Sequence, residues 1–277
     1  MIVLATSADD LAITASDALY ADALRRRGCV VAGAPWDGPG AGFDGAAAVV
    51  IRSTWGYYRT PEAFRDWTEA MAAATRLFNP IGLVRWNLRK DYVAALASAG
   101  IRVPQTRIVS REAASIERVF AETGWERAVV KPTTGASGHA VELVSREAVA
   151  AAMPRLAGDA LLVQEFLPEI AEGEVSLVYF DNEFSHAIRK RPTAGEFRVN
   201  SRFGATRAAE TPTDGVIRQG ATALGVLPEQ PLYARVDGVV RGDTLIVIEI
   251  EVLEPALFLD FAPAAADRFA EATLRRL

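Results

Sequence analysis

Three acids near the C-terminal end are spaced in a way that chemistry could use: Asp237, Glu249 and Glu251. The two glutamates stand two apart within an apolar run (Ile246, Val247, Ile248, Ile250, Val252), which predicts a strand whose pleat sends both to one face. Asp237 falls near the end of the preceding strand, so the three carboxylates are expected to converge. Buried and unpaired, each costs on the order of several kcal/mol of desolvation. An oxygen-preferring divalent cation, Mg²⁺ shared with a nucleotide phosphate, offsets that cost. The same spacing also serves a solvated sheet face whose acids pair with arginines.

Lysine chemistry comes next. Val129-Val130-Lys131-Pro132-Thr133-Thr134-Gly135-Ala136-Ser137-Gly138 places an ammonium at a strand end before a loop of small residues. Such a loop lets backbone N–H groups approach a phosphate, and a plain hairpin turn is the alternative. It is not a P-loop, because the lysine precedes the glycines. After an earlier strand comes Arg52-Ser53-Thr54-Trp55-Gly56-Tyr57-Tyr58. The carboxyl ends of strands in open α/β sheets face the ligand crevice, so Arg52, Ser53, Trp55 and Tyr57 suit a small zwitterionic substrate, with Arg52 on its carboxylate. The aromatics serve equally well as interface packing.

Composition narrows the classes. The chain has 277 residues, 30 Lys+Arg against 35 Asp+Glu and a net charge of −5, which gives no electrostatic reason to seek nucleic acid or an anionic bilayer. The basic segment Arg189-Lys190-Arg191 is too short to alter this. The apolar runs are strand-length, far below the roughly 20 residues of a membrane span. No basic start precedes Ile2-Val3-Leu4, so cytoplasmic residence is the expectation. One cysteine and two histidines exclude an internal disulfide and most Cys- or His-based metal sites.

Periodicity and punctuation supply the elements. Strands are expected at Met1–Ala5, Cys29–Ala34, Ala46–Ser53 and around Leu77-Phe78, with helices over Asp9–Arg27 and from Thr60 to Thr75. This is a parallel α/β unit, bounded near residue 85. A helix over Asn87–Ala99 carries Lys90, and a strand over Val103–Val109 and a helix over Arg111–Glu122 follow. Beyond Ala128 the pattern turns to α+β, with strands at Ala128–Lys131, Ala140–Val144 and Ala160–Phe166 and a helix over Arg146–Leu156. Two hairpins then turn through Asp181-Asn182 and Arg241-Gly242-Asp243.

The ordered series Lys90, Lys131 with its glycine loop, Gln164-Glu165-Phe166-Leu167, Glu174, Arg235-x-Asp237 and Glu249-x-Glu251 resembles the ATP-grasp superfamily over roughly residues 86 to 260. That resemblance implies a Rossmann-like N-terminal domain (1–85) and an ATP-grasp fold of two α+β subdomains (86–277), with a small lid at about 103–163. It implies that Lys90 and Lys131 bind ATP phosphates under a lid loop of Gly135, Ala136, Ser137 and Gly138. Gln164, Glu165, Phe166 and Leu167 would contact adenine, Glu174 the ribose, and Lys190 or Arg191 a phosphate. Asp237, Glu249 and Glu251 would hold Mg²⁺, with Mn²⁺ an acceptable substitute, and Arg235 the phosphate side. Many relatives carry asparagine where this chain has Glu251. Glutathione-synthetase-type ligases have a similar Arg-x-Asn and small-residue loop, which puts Arg198, Asn200 and Arg202 at the acyl phosphate. Arg-Ser-Thr-Trp near residue 52, Trp86-Asn87-x-x-Lys90 and Glu249-Ile250-Glu251-Val252-Leu253-Glu254-Pro255 look like the subgroup containing the cyclo-ligase of D-cycloserine biosynthesis, which closes O-ureido-D-serine. Gly56 stands where that subgroup usually has an acid. The implied activity is ATP-dependent C–N ligation on an amino-acid-like substrate, in a chain able to form a homodimer. A small-molecule phosphotransferase and a non-catalytic nucleotide-binding protein are the rival readings.

Overall fold

The computed structural model describes residues 1–9, 12–38 and 42–277. Three sheets follow one another along the chain. The first holds β1 (Ile2–Thr6), β2 (Val31–Pro35), β3 (Ala48–Ile51) and β4 (Arg76–Phe78), all parallel in the order β2-β1-β3-β4. Every residue of β1 and β3 is buried, as expected of strands covered on both faces. Helix α1 (Ala15–Arg26) starts where the Thr14 side chain accepts the Asp17 amide, and α2 (Pro61–Ala74) starts with proline at its first turn. The helix expected from Asp9 begins later, at Ala15; Asp10 and Leu11 lie outside the described residues.

The link to the second sheet departs from the sequence reading. The single helix expected over Asn87–Ala99 is instead α3 (Ile81–Asn87), a 3-10 turn at Lys90–Tyr92 and α4 (Val93–Ser98). Tertiary bonds break it. The Asn87 side chain donates to Ile250 O at 2.7 Å and accepts from Val252 N at 3.0 Å, and the Lys90 amide donates to Thr133 O at 2.7 Å. Helix propensity is the weaker influence here.

The second sheet is antiparallel in the order β5-β8-β6-β7: β5 (Thr106–Ser110), β6 (Arg127–Pro132), β7 (Glu142–Ser145) and β8 (Ala160–Glu165). Against it pack α5 (Ala113–Thr123) and the short α6 (Val149–Ala152), which gives way at Pro154 to a 3-10 turn. The third sheet, antiparallel in the order β11-β10-β9-β12-β13, contains β9 (Glu174–Phe180), β10 (Glu183–Arg191), β11 (Thr206–Glu210), β12 (Tyr233–Arg241) and β13 (Thr244–Glu251). Strand β11 was not expected from the sequence. Both hairpin turns are where the sequence puts them, with Asp181, Asn182 and Gly242 at positive φ. Helix α7 (Asp214–Leu224) covers the far face of this sheet, and α8 (Ala265–Arg275) packs back onto α1, stacking Phe269 on Tyr20 at 3.8 Å. No helix among the described residues is long and apolar enough to cross a membrane.

Candidate active site

The β12–β13 register explains how acids and apolar residues share one strand. Asp237 stands opposite Glu249 and Arg235 opposite Glu251, but Gly238 pairs with Val247, leaving Ile248 as the extra residue of a bulge. Alternation slips there. Leu245 and Val247 before the bulge, and Ile250 and Val252 after it, all pack into the core under α7, while Ile246, Ile248, Glu249 and Glu251 fall on the other side. Gly238 permits the close approach, since a Cβ there would sit 2.4 Å from Ile246 O.

That side forms the floor of a cavity of about 590 Å³ between the three sheets. Of the residues singled out from sequence, Lys90, Lys131, Gly135, Ala136, Ser137, Gly138, Gln164, Glu165, Phe166, Leu167, Glu174 and Lys190 all line it. So do Arg198, Asn200, Arg202, Arg235, Asp237, Glu249, Glu251, Trp55 and Tyr57. Residues from nearly the whole chain therefore meet at one place.

The charges on the floor interlock. Arg235 Nη2 donates to Asp237 at 2.8 Å and to Glu251 at 2.5 Å. Lys190 reaches Glu174 at 2.5 Å and Asp237 at 3.3 Å, and Ser176 Oγ donates to Asp237 at 2.6 Å. Lys90 pairs with Glu249. Burial pushes the Asp237 carboxyl up, but Arg235 and Lys190 outweigh it and hold it well below the usual range. Burial likewise raises Glu251, reinforced by Asp237 and Glu249 against Arg235, and here burial wins, at about 7. For Glu249 the fields of Lys90 and Lys131 prevail over burial and lower it. Asp237 and Glu251 share Arg235 while Glu249 pairs with Lys90; among the described residues no group of three His, Cys, Asp or Glu side chains forms a ready metal cage. The arginine pairing expected of a solvated face is present, but in a buried setting.

Lys131 is different. It is buried, makes no ion pair among the described residues, and its ammonium is pushed down by burial and by Lys90. An unpaired buried ammonium facing a cavity is suited to an external anion. The loop that follows is held against the first sheet: Ala136 packs with its core, and His139 stacks on Tyr58 at 4.8 Å. Gly138 has φ +69°, and a Cβ there would lie 2.6 Å from Asn200 Oδ1 and 3.1 Å from Phe203. Gly138→Ala is therefore expected to displace Asn200 and lower kcat/KM roughly 10- to 100-fold, with Tm lowered by only a few degrees, about 1–2 kcal/mol of backbone strain; steady-state kinetics beside thermal melts check this, and unaltered kinetics would contradict it.

On the second sheet Gln164 is buried and donates to Thr106 Oγ1 at 2.9 Å, Phe166 lies under Arg127 at 4.2 Å, and Leu167 packs with Val239 and Ile246. Arg198 is bidentate with Glu196, drawing that carboxyl down to about 2, and lies 3.7 Å over the Phe203 ring. Arg202 stands 4.7 Å from the centre of the same ring.

Two expectations are corrected. Arg52 does not face the cavity: it is 1% exposed, donating from Nε to Asp17 Oδ1 at 2.9 Å and from Nη2 to Pro255 O at 2.8 Å, with its guanidinium 4.9 Å over Tyr233. It ties α1 to the segment after β13 and cannot hold a substrate carboxylate. Ser53 is fully buried, and its hydroxyl has no partner among the described residues. The crevice rule located the strand end correctly, but the chain after β3 turns both side chains inward. Sequence reasoning gave no role to Glu254, to Thr14–Asp17 at the start of α1, to Arg207 or to Phe258, which also line the cavity. Glu254, an isolated acid in Val252-Leu253-Glu254-Pro255-Ala256-Leu257, carried a readable signal, because an apolar run keeps a carboxylate only for a partner or a ligand.

Comparison with known proteins agrees with this geometry. Residues 2–79 match the family model for the N-terminal domain of the D-cycloserine synthetase DcsG, and residues 95–259 that for the ATP-grasp domain of prokaryotic glutathione synthetase. The cycloserine biosynthesis protein DcsG of Streptomyces lavendulae is 31% identical over 298 residues, spanning 100% of this chain and 99% of that protein. The glutathione synthetase of Prochlorococcus marinus (strain MIT 9313) is 32% identical over 185 residues, 65% of this chain and 56% of its own. The crystal structure of D-cycloserine synthetase DcsG superposes with a TM-score of 0.90 at 29% identity, covering 99% of each chain. The chain belongs to the ATP-grasp family and is an ATP-dependent ligase that forms C–N bonds.

Proposed function

We propose that the protein converts the carboxylate of a small amino-acid-like substrate into an acyl phosphate with ATP, and directs a nitrogen of the same molecule onto it to close a ring, as in an O-ureidoserine-like compound. The observation that carries this reading is the unpaired Lys131 beside the Lys90–Glu249 pair, at the edge of a cavity large enough for a nucleotide and a small substrate. Full-length similarity to a cycloserine biosynthesis protein supports cyclisation over joining two molecules.

Each group has a task in this scheme. Lys131, Lys90 and the amides of the Gly135–Gly138 loop hold the triphosphate; Gln164 to Leu167 and Ile248 bracket the base, and Glu174 takes the ribose. Asp237, Glu249 and Glu251 fit Mg²⁺, or Mn²⁺, in the manner usual for phosphate sites, where one or two carboxylates act together with phosphate oxygens and water. The surplus acid on the floor, seen in the raised Glu251, is the donor-set evidence for that fit. Bound there, the cation would neutralise charge on the transferred phosphoryl group. Arg235, with Arg198, Asn200 and Arg202 on the facing loop, stabilises the oxyanion formed as nitrogen attacks, each such contact being worth about 3 kcal/mol. No side chain serves as nucleophile.

A screen of amino acids, including O-ureidoserine of both hands, is expected to give ADP and phosphate with a product lighter than the substrate by one water. AMP would indicate adenylation, and a stable phosphorylated compound a phosphotransferase; either result overturns the reading.

A further inference from the structure

Four acids lining the cavity are buried: Asp17, Glu174, Asp237 and Glu254. The first three have cationic partners, namely Arg52 for Asp17, Lys190 for Glu174, and Arg235 with Lys190 for Asp237. Glu254 has none at its carboxylate among the described residues. Its one tertiary bond is at the backbone, where the Trp55 indole donates to Glu254 O at 3.2 Å. Glu254 lines the same cavity, where burial, with Glu251 and Glu249 against Lys90 and Arg235, raises its carboxyl well above the usual carboxylate range.

We propose that Glu254 anchors the ammonium group of the amino-acid substrate, an inference that rests on the ligase reading above. A buried carboxyl without a partner is held neutral by its surroundings, and a positive ligand placed against it restores its charge. The flanking groups say which kind. Trp55 and the buried Tyr57 line the cavity beside Glu254 and present aromatic surface. A carboxylate between aromatic rings recognises an organic ammonium through a charge-assisted hydrogen bond and cation–π attraction, whereas a hydrated divalent ion favours a purely oxygen-lined corner. The arrangement also orients the substrate. With its ammonium at Glu254 on the first-sheet side, its carboxylate is directed toward Arg235 and the phosphate-binding lysines.

The test compares O-ureidoserine, in the hand the enzyme accepts, with the same compound lacking its amine. The unmodified enzyme is expected to prefer the amine by at least about 30-fold in KM, and Glu254→Gln to lose most of that preference while its KM for ATP stays within about twofold. Glu254→Asp is expected to retain the preference in part. Persistence of the full preference in Glu254→Gln overturns the inference alone. Should Glu254→Gln fail to fold, equal use of both compounds by the unmodified enzyme overturns it as well. Absence of ADP release from the unmodified enzyme with every amino-acid probe instead removes the ligase reading, and this inference with it.

Discussion

Glu249→Gln is expected to lower kcat/KM for ATP turnover by at least about 10³-fold while the protein stays folded. Among the described residues Glu249 is paired only with Lys90, and it keeps 22% of its side-chain surface open to the cavity, so the neutral amide removes a phosphate-side carboxylate at small structural cost. Asp237→Asn is expected to be as damaging to activity but for a second reason. Asp237 accepts from Arg235, Lys190 and Ser176 at once, and loss of its charge leaves two buried cations without their common counterion. A melting curve separates the two: Asp237→Asn loses stability by about 3–5 kcal/mol and Glu249→Gln by much less. Turnover above one-tenth of the original in both variants would remove the role assigned to the acidic floor.

Arg52→Met is expected to destabilise the protein by about 3–5 kcal/mol, because it leaves Asp17, 4% exposed, as an uncompensated buried charge. At this chain length that corresponds to a fall in Tm of roughly 10 °C. The folded fraction should retain its KM for the amino-acid substrate. Replacing the pair together, Arg52→Met with Asp17→Leu, is expected to recover part of the loss, since two apolar groups no longer strand a charge. Differential scanning calorimetry checks the first expectation. A normal Tm combined with a large rise in substrate KM would return Arg52 to the cavity, where the sequence pattern had placed it.

The Arg52 case shows what the chain's pattern conveys and what it withholds. Period and punctuation placed β1 to β4, the two hairpins and the acids of β12 and β13, because strand alternation and Asn, Asp and Gly turn preferences act over a few residues. The grouping of Lys90, Lys131, Gln164, Glu174 and Arg235 was legible through the resemblance to the ATP-grasp superfamily that their order along the chain carries. What escaped depends on distant partners. Asn87 interrupts its helix because it bonds the strand near residue 250, a contact more than 160 positions away. Arg52 turns inward because Asp17, Tyr233 and Pro255 O form a cage for it, and none of these is adjacent in sequence. The bulge at Ile248 shifts which hydrophobic residues face the site, and no single residue type announces it.

The central claim is that one oxygen of the substrate carboxylate becomes an oxygen of phosphate, because the γ-phosphoryl group is carried on that carboxylate before nitrogen displaces it. Turnover of substrate labelled with ¹⁸O in its carboxylate reads this directly by mass spectrometry of the released products. Transfer of one label into inorganic phosphate, with unlabelled ADP, is the expected result. Label appearing in AMP, or phosphate released with no label at all, would contradict the account.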